Sequence, residues 1–190
     1  MSRIPLLAIE DMTPEQRQAY ESNPGGKMNL SRILGHAPTM QPGIGLAVKA
    51  MMTEITVPPL ERQICVMATL HLDRGAYEWA QHLQVADMIG IPKEKVEAIA
   101  DDRFGDPAFT DREKALLAFT RQVVKTVRVD DFVFNAVAAF YTPRQIVELI
   151  NVLGLYMTFA RISEVAELEI DAIGGGGFWR EATKKAGLIE

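Results

Sequence analysis

Residues 74–92, RGAYEWAQHLQVADMIGIP, have the length and spacing of an amphipathic helix that stops at a glycine before a proline. On a helical wheel, Glu78 and His82 fall inside the apolar sector, about 40° apart and one turn from each other. Because an unpaired carboxylate is costly to bury, this pattern predicts that the two side chains pair with each other. Such a pair is typical of a site that moves protons, and it is also used to tie neighbouring helices together.

Helix start and stop signals continue on both sides of this stretch, and no segment shows convincing strand alternation. The sequence therefore predicts an all-α bundle in a single domain, residues 1–190, with a loop at 22–29. Residues 174–190 are predicted to form a flexible glycine-rich break and a short C-terminal helix. Seven other helices are predicted. The first begins at Thr13-Pro14, and the last runs from Thr142-Pro143 to about Arg161, continuing or kinking towards Ile170. Those between them cover 38–53, Pro58-Pro59 to about His71, Lys93 to Ala100, Thr110 to about Thr126, and Asp130 to near Tyr141.

The composition excludes several classes of protein. The chain has 190 residues and a net charge of -5, which argues against a nucleic-acid binder because such proteins normally carry a basic face. The lone cysteine, Cys65, excludes an internal disulfide and a CxxC redox pair. The N-terminus has no apolar stretch typical of a signal peptide, and the longest uncharged run, 149–160, is too short to span a bilayer. A cytoplasmic protein without membrane contact is expected.

Residues 146–162, IVELINVLGLYMTFARI, are apolar nearly all round the predicted helix. A helix of this kind must be covered on every side, by its own domain or by another subunit. A domain of this size has little room to surround it, so the sequence predicts a homo-oligomer.

The helix that precedes the quoted stretch has polar residues of its own. Gln63 and His71 lie within its apolar arc, whereas Cys65 lies off that arc and is interpreted as a small, half-buried hydrophobe. A nucleophilic Cys65 would need a nearby base or cation. The three histidines of the chain are widely spaced, and Glu78 and His82 lack an obvious third ligand, so no metal site is expected.

Residues 60–99, LERQICVMATLHLDRGAYEWAQHLQVADMIGIPKEKVEAI, resemble the carboxymuconolactone decarboxylase family, which includes the alkylhydroperoxidase-D-like proteins. The most specific part is YEW..H followed by A...G, and a weaker similarity covers residues 28–172. The resemblance implies an all-α fold that assembles as trimers or hexamers, with active sites near the subunit contacts.

The chain departs from the redox branch of that family. Peroxidase members carry CxxC followed by a histidine four residues on; here the cysteine positions are Gly75 and Glu78, and the histidine is kept as His82. The family's glutamate on the preceding helix falls on Gln63. The resemblance therefore implies the decarboxylase side: a cofactor-free lyase or isomerase that acts on a small carboxylated, conjugated product of aromatic ring cleavage.

The resemblance also implies roles for individual residues. His82 is the expected general acid/base, Glu78 orients it or shares its proton, and Tyr77 is a candidate hydrogen-bond donor. Arg161 and Arg74 are the candidates to bind the substrate carboxylate. The remaining candidate substrate contacts are Gln63, Trp79 and His36, the last of which is equally consistent with a capping role.

Two alternatives stay open at the level of sequence. One is a thiol-dependent peroxidase that uses Cys65, and the other is a non-catalytic oligomeric binding protein. Within the first interpretation, decarboxylation and cis-trans isomerisation are both consistent with the residues. Gln63 in place of the family's acid mildly favours isomerisation.

Overall fold

The computed structural model describes residues 2–22 and 24–171, and within them all regular structure is helical, which confirms the all-α prediction. The predicted C-terminal break and helix, 174–190, lie outside the described residues. Short 3-10 turns cover Ile9–Asp11 and Pro24–Lys27. The α-helices of the described ranges are α1 (Pro14–Ser22), α2 (Asn29–Leu34), α3 (Gln41–Thr53), α4 (Pro59–Asp73), α5 (Ala76–Met88), α6 (Lys93–Ala100), α7 (Asp111–Thr126), α8 (Asp131–Ala138) and α9 (Pro143–Ala166).

The starts of the long helices are fixed by side chains that the sequence makes recognisable. Thr110 and Glu113 form a reciprocal capping box at the start of α7, and Thr142 and Gln145 form another at the start of α9. Each box satisfies two backbone N–H donors at the start of the helix, those of the N-cap residue and of the third helical residue. These signals are local, so the predicted starts of both helices are confirmed.

The boundaries that depend on distant contacts differ from the prediction. Helix α2 forms next to the predicted loop because Leu30 N donates to the Tyr77 hydroxyl (3.3 Å) and Asn29 N donates to Asp171 (3.0 Å). Helix α9 continues unbroken past Arg161 and ends only where Glu167 adopts a left-handed conformation, with φ 48°. No kink is needed, because the whole length of α9 packs on the bundle.

Helix α4 lies at the centre and packs against α5, α6, α7 and α9. The core contains fully buried side chains of α4, α7 and α9, including Met67, Leu116, Leu149 and Leu153. By length and composition α9 could cross a membrane, but in this fold it is a core helix packed on α4, α5 and α7. Two of its polar residues, Tyr156 and Ser163, are buried against other helices of the bundle, which is where the candidate site lies.

Candidate active site

A cavity of about 790 Å³ lies between the central helices of the bundle and the first three α-helices of the chain. Its walls come from α1, α2 and α3 on one side and from α5 and α9 on the other, and most of the lining side chains are apolar. The polar residues that line it include Tyr77, Glu78, Gln81, His82 and Tyr156, together with the cationic residues Arg32 and Lys49. The structure thus brings all three predicted catalytic residues to one cavity.

Glu78 is the most unusual group on this wall. Its residue is only 3% exposed, and its Oε1 is a buried atom with no hydrogen-bond partner among the described residues. Burial raises the pKa of Glu78 to about 7, and the charge of Glu164 acts in the same direction, against the hydrogen bond from Ser163. A carboxyl group with this pKa exchanges its proton at neutral pH.

Ser163 can satisfy Glu78 in both protonation states. Its Oγ lies 2.8 Å from Glu78 Oε2 and 3.1 Å from the carbonyl oxygen of Ala160. When Glu78 is ionised, the hydroxyl donates to the carboxylate. When Glu78 is protonated at Oε2, it can donate to Ser163 while the hydroxyl donates to Ala160, because a hydroxyl is both donor and acceptor.

Gln63 determines which nitrogen of His82 carries a proton. The amide Nε2 of Gln63 donates to the backbone carbonyl of His82 (3.1 Å), so its Oε1, 3.1 Å from His82 Nδ1, must be the acceptor of the second bond. His82 is therefore protonated at Nδ1, and Nε2 is the acceptor nitrogen of the neutral ring. Burial, together with the positive charge of Arg62, lowers the pKa of His82 to about 3. The expected neutral-range pKa of His82 is not what this environment produces.

The expected direct pairing of Glu78 with His82 is also wrong. Glu78 bonds to Ser163 on α9, and His82 bonds to Gln63 on α4. The physical reason is that both side chains lie on the face of α5 that packs on α4 and α9, so each meets a different neighbouring helix. A polar layer of Gln63, Glu78, His82, Tyr156 and Ser163, called here the polar cluster, lies where these three helices meet.

Of the two cavity-lining tyrosines on α5 and α9, Tyr77 and Tyr156, the second is better placed to bind a ligand. The Tyr77 hydroxyl donates to Asp171 and accepts from Leu30 N, so its bonds hold the N-terminal helices and the end of the described chain together. Tyr156 packs its ring edge-on against His82, with centroids 4.9 Å apart, and its hydroxyl makes no hydrogen bond within the described part of the chain. Sequence analysis missed Tyr156, although its spacing of seven residues from Ser163 along α9 placed both on one helix face.

The two arginines expected to bind a carboxylate lie outside this cavity. Arg161 is exposed; its guanidinium pairs with Asp73 and donates to the carbonyl of Met157 (2.7 Å). Arg74 is the exposed residue that ends α4, with φ 60°. It borders a separate cavity of about 290 Å³. Among the described residues, the cations on the wall of the large cavity are Arg32, which donates to the carbonyl of Leu7, and Lys49.

The other expected substrate contacts are dispersed. His36 is exposed and its Nε2 contacts the carbonyl of Pro5 (2.8 Å), which agrees with its alternative structural role. Trp79 is half-buried and borders the smaller cavity next to Arg74. Gln63 is buried and reaches the large cavity only through His82.

Cys65 lies in the core and not on the cavity wall. Its residue is 0% exposed, its Sγ lies 3.5 Å from Thr120 Oγ1, and burial raises its pKa to about 12. A reactive thiol needs a lowered pKa and access to its substrate, and this environment provides the opposite. Within the described ranges 2–22 and 24–171, no three His, Cys, Asp or Glu side chains are grouped to hold a metal ion.

Comparisons with known proteins identify the fold. No model of a protein family matches the sequence, and no curated protein matches it. Solved structures do match: a variant of the debrominase Bmp8 in complex with 2,3,4-tribromopyrrole superposes with a TM-score of 0.75 at 17% identity, covering 98% of this chain and 100% of that chain. An uncharacterised peroxidase-related protein from Silicibacter sp. TM1040 gives a TM-score of 0.75 at 14% identity, covering 90% and 92%.

A third match carries the fold's name. The alkylhydroperoxidase AhpD core protein from Ralstonia eutropha JMP134, described as an uncharacterised peroxidase-related protein, gives a TM-score of 0.71 at 18% identity and covers 90% of this chain and 92% of that chain. The fold implied by the sequence resemblance is confirmed, and the single cysteine agrees with a member that lacks the CxxC pair. The chain has the alkylhydroperoxidase-D-like fold.

Proposed function

We propose that the protein is a cofactor-free lyase or isomerase that acts on a small carboxylated, conjugated product of aromatic ring cleavage. One observation carries this proposal: a buried carboxyl group, Glu78, whose pKa is raised to about 7, lines a largely apolar cavity with one oxygen unpartnered among the described residues. Such a group can donate or accept a proton at neutral pH without a cofactor. A cytoplasmic location stays a prediction from the sequence.

Glu78 takes over the role that the sequence suggested for His82. A conjugated acid reacts when a proton is added to or removed from the carbon at the far end of its double bonds. In decarboxylation, the electron pair of the breaking C–C bond forms a dienolate as CO₂ leaves, and Glu78 then donates its proton to carbon. In isomerisation, Glu78 protonates a dienolate carbon, the former double bond rotates, and the carboxylate removes the proton again.

The remaining members of the polar cluster fit this chemistry. The hydroxyl of Tyr156 can donate a hydrogen bond to the oxygen on which dienolate charge develops, inside a largely apolar cavity. The neutral His82, whose N–H is used by Gln63, can only accept a hydrogen bond from the substrate, through Nε2. Lys49 and Arg32 replace Arg161 and Arg74 as candidates to bind the substrate carboxylate, because they line the same cavity as Glu78. A small planar ligand is consistent with the fold, since the debrominase neighbour was solved with tribromopyrrole.

The direct test is turnover of a panel of ring-cleavage products by the purified protein. The change in the absorbance of the conjugated chromophore is followed in the ultraviolet and CO₂ by a coupled assay; release of CO₂ distinguishes a lyase from an isomerase. Activity should survive treatment with a chelator and the Cys65→Ala substitution. Turnover that depends on Cys65 would support the thiol peroxidase alternative instead, although the buried sulfur gives that alternative no support.

Tyr156→Phe should lower kcat by roughly 10-fold or more while the fold is retained, because the variant loses one hydrogen-bond donor to the developing negative charge. Tyr77→Phe is the matched control: it removes a hydroxyl that is bonded to Asp171 and Leu30 and should lower the melting temperature more than kcat. Steady-state kinetics and thermal unfolding of both variants provide the comparison. Equal kinetic effects of the two substitutions would remove Tyr156 from the mechanism.

We also propose that the protein is a homo-oligomer, as the sequence suggested. Apolar side chains of α8 and α9 remain exposed on the single chain, including Phe132 (84% exposed), Val165 (60%) and Val147 (58%). A second copy of the chain is the occupant favoured here, because α9 exposes Val147, Ile150 and Val165 in addition to the side chains that it contributes to the core.

Sedimentation equilibrium at low micromolar concentration should give a mass that is a multiple of 21.1 kDa. Ile150→Asp, which changes an exposed side chain of α9, should reduce this mass without unfolding the chain. A wild-type protein that sediments only as a 21.1 kDa species would contradict the proposal.

A further inference from the structure

Arg62 is a buried cation without an acidic partner among the described residues. Its residue is 7% exposed, and its Nη1 donates to the carbonyl oxygens of Met51 (2.6 Å) and Met52 (3.5 Å). Burial lowers the pKa of Arg62, which is the sign of an energetic cost to keeping this charge in the protein. The buried guanidinium must therefore be stabilised by the polar groups that it contacts.

The two carbonyls that Arg62 binds belong to the last turn of α3. The final carbonyls of a helix lack partners within the helix and carry a partial negative charge, so a cation placed there is favourable. Arg62 comes from α4, the central helix of the bundle. The bond therefore ties α3 to the core from the inside.

Helix α3 needs such a tie because little else holds it. Much of the surface of α3 is exposed, and its most exposed large apolar side chain is Leu46, at 69%. The other face of the helix lines the cavity with Ile44, Val48 and Met51. At its first residue, Gln41 donates to the carbonyl of Ser31 (3.2 Å). Beyond its last turn, the connection to α4 is held by Thr56, whose backbone N–H and hydroxyl both donate to Glu148 at 2.8 Å.

Arg62 also acts on the other wall of the cavity. Burial lowers the pKa of His82, and the charge of Arg62 acts in the same direction. Burial raises the pKa of the Tyr156 hydroxyl, and the charge of Arg62 opposes that rise. Among the described residues, the groups that act on or contact His82 include Arg62 and Gln63 from α4 and Tyr156 from α9. Among these, Arg62 is the permanent positive charge, and it opposes protonation of the imidazole.

We propose that Arg62 is a positioning residue that holds the α3 wall of the cavity in place. The role of this geometry in turnover rests on the proposed function, but the geometry itself does not. Because the charge of the same side chain also acts on His82, in addition to burial, a change at Arg62 should alter the wall and the titration of His82 together.

The test compares Arg62→Lys with Arg62→Gln, using Glu148→Ala as the control. The first keeps the charge, and the second keeps a hydrogen-bond donor without the charge. The third removes the acceptor of both Thr56 bonds at the same end of α3, away from His82. Hydrogen exchange of the α3 amides and NMR titration of the His82 ring are the two readouts. Neither readout requires a substrate, so failure of the proposed function would be seen separately.

In Arg62→Gln, the α3 amides should exchange roughly 10-fold faster or more, as expected for loss of a charge-assisted hydrogen bond, and the pKa of His82 should rise. Arg62→Lys should leave the pKa of His82 near its wild-type value, and Glu148→Ala should speed exchange without moving it. If Arg62→Gln does not fold, Arg62→Met, which replaces the buried cation by an apolar side chain without a donor, decides: faster α3 exchange with a raised His82 pKa supports the proposal. Unchanged α3 exchange or an unmoved His82 in the folded Arg62→Gln or Arg62→Met protein would overturn it.

Discussion

Glu78→Gln should lower kcat/KM by about 10²–10⁴-fold, the range for loss of a general acid or base. The amide has the shape of the carboxyl group and can still bond to Ser163, so the cavity is preserved while the transferable proton is lost. Wild-type kcat/KM should change with pH around 7, where Glu78 titrates, and this dependence should vanish in the variant. Steady-state kinetics between pH 5 and 9, with circular dichroism as the check on folding, measure both effects.

His82→Gln is the matched control for this prediction. It should cost less than Glu78→Gln and should keep the transition near pH 7, because a neutral imidazole with a pKa of about 3 does not titrate there. If the transition near pH 7 persisted in Glu78→Gln and vanished in His82→Gln, the assignment of the two residues would be reversed.

Glu78→Gln should also change how the free energy of unfolding depends on pH. The pKa of Glu78 is raised in the folded protein from 4.5 to about 7, so its contribution to stability is full below 4.5 and is lost as the pH rises through 7. His82 acts in the opposite sense: its pKa is lowered from 6.5 to about 3, so its contribution is present above 6.5 and is lost as the pH falls towards 3. Glu78→Gln should therefore gain stability relative to wild type as the pH rises from 5 to 8.

Gly75→Ala should destabilise the protein by about 1–3 kcal/mol, the usual cost of overpacking. A Cβ at this position would lie 2.8 Å from the Cβ of Ala160 and 3.1 Å from Glu78 Oε2. The added methyl group therefore has to displace either helix α9 or the carboxyl group, and activity should fall together with stability. Denaturant unfolding and steady-state kinetics of the same preparation give the two quantities.

Gly43→Ala is the control for this prediction. A Cβ at Gly43 meets nothing within 4 Å, so the exposed α3 position should gain roughly 0.5–1 kcal/mol from the better helix propensity of alanine. Gly75→Ala with wild-type stability and activity would mean that the contact between Gly75 and Glu78 does not position the carboxyl group. The crowding also bears on the lost CxxC motif, whose first position falls on Gly75, because even the smallest side chain there needs a shift in its neighbours.

Features that depend on local sequence were predicted well. The capping boxes at Thr110 and Thr142 give the starts of α7 and α9, and the spacing of Glu78 and His82 places both on the inward face of α5. These predictions need only residues within one or two turns of each other.

Features that depend on contacts between distant segments could not be read from the sequence. Ser163 is 85 residues from Glu78, and Gln63 is 19 residues from His82, so the wheel of α5 could not show that the two side chains have separate partners. The position of Arg161 outside the cavity could not be predicted for a different reason. The sequence of α9 is apolar on almost every side of the helix, so its helical wheel does not distinguish the face towards the cavity from the face towards solvent. Arg62 was overlooked because a charged residue in the first turn of a helix usually lies in solvent.

The central claim is that Glu78 exchanges its proton near neutral pH. It is tested most directly by carboxyl ¹³C NMR of protein labelled at the glutamate side-chain carboxyl carbon, comparing wild type with Glu78→Gln to assign the missing signal. We expect that signal to titrate near pH 7, well above the 4.5 of an ordinary glutamate. A Glu78 signal that titrates at or below 4.5 would contradict the account.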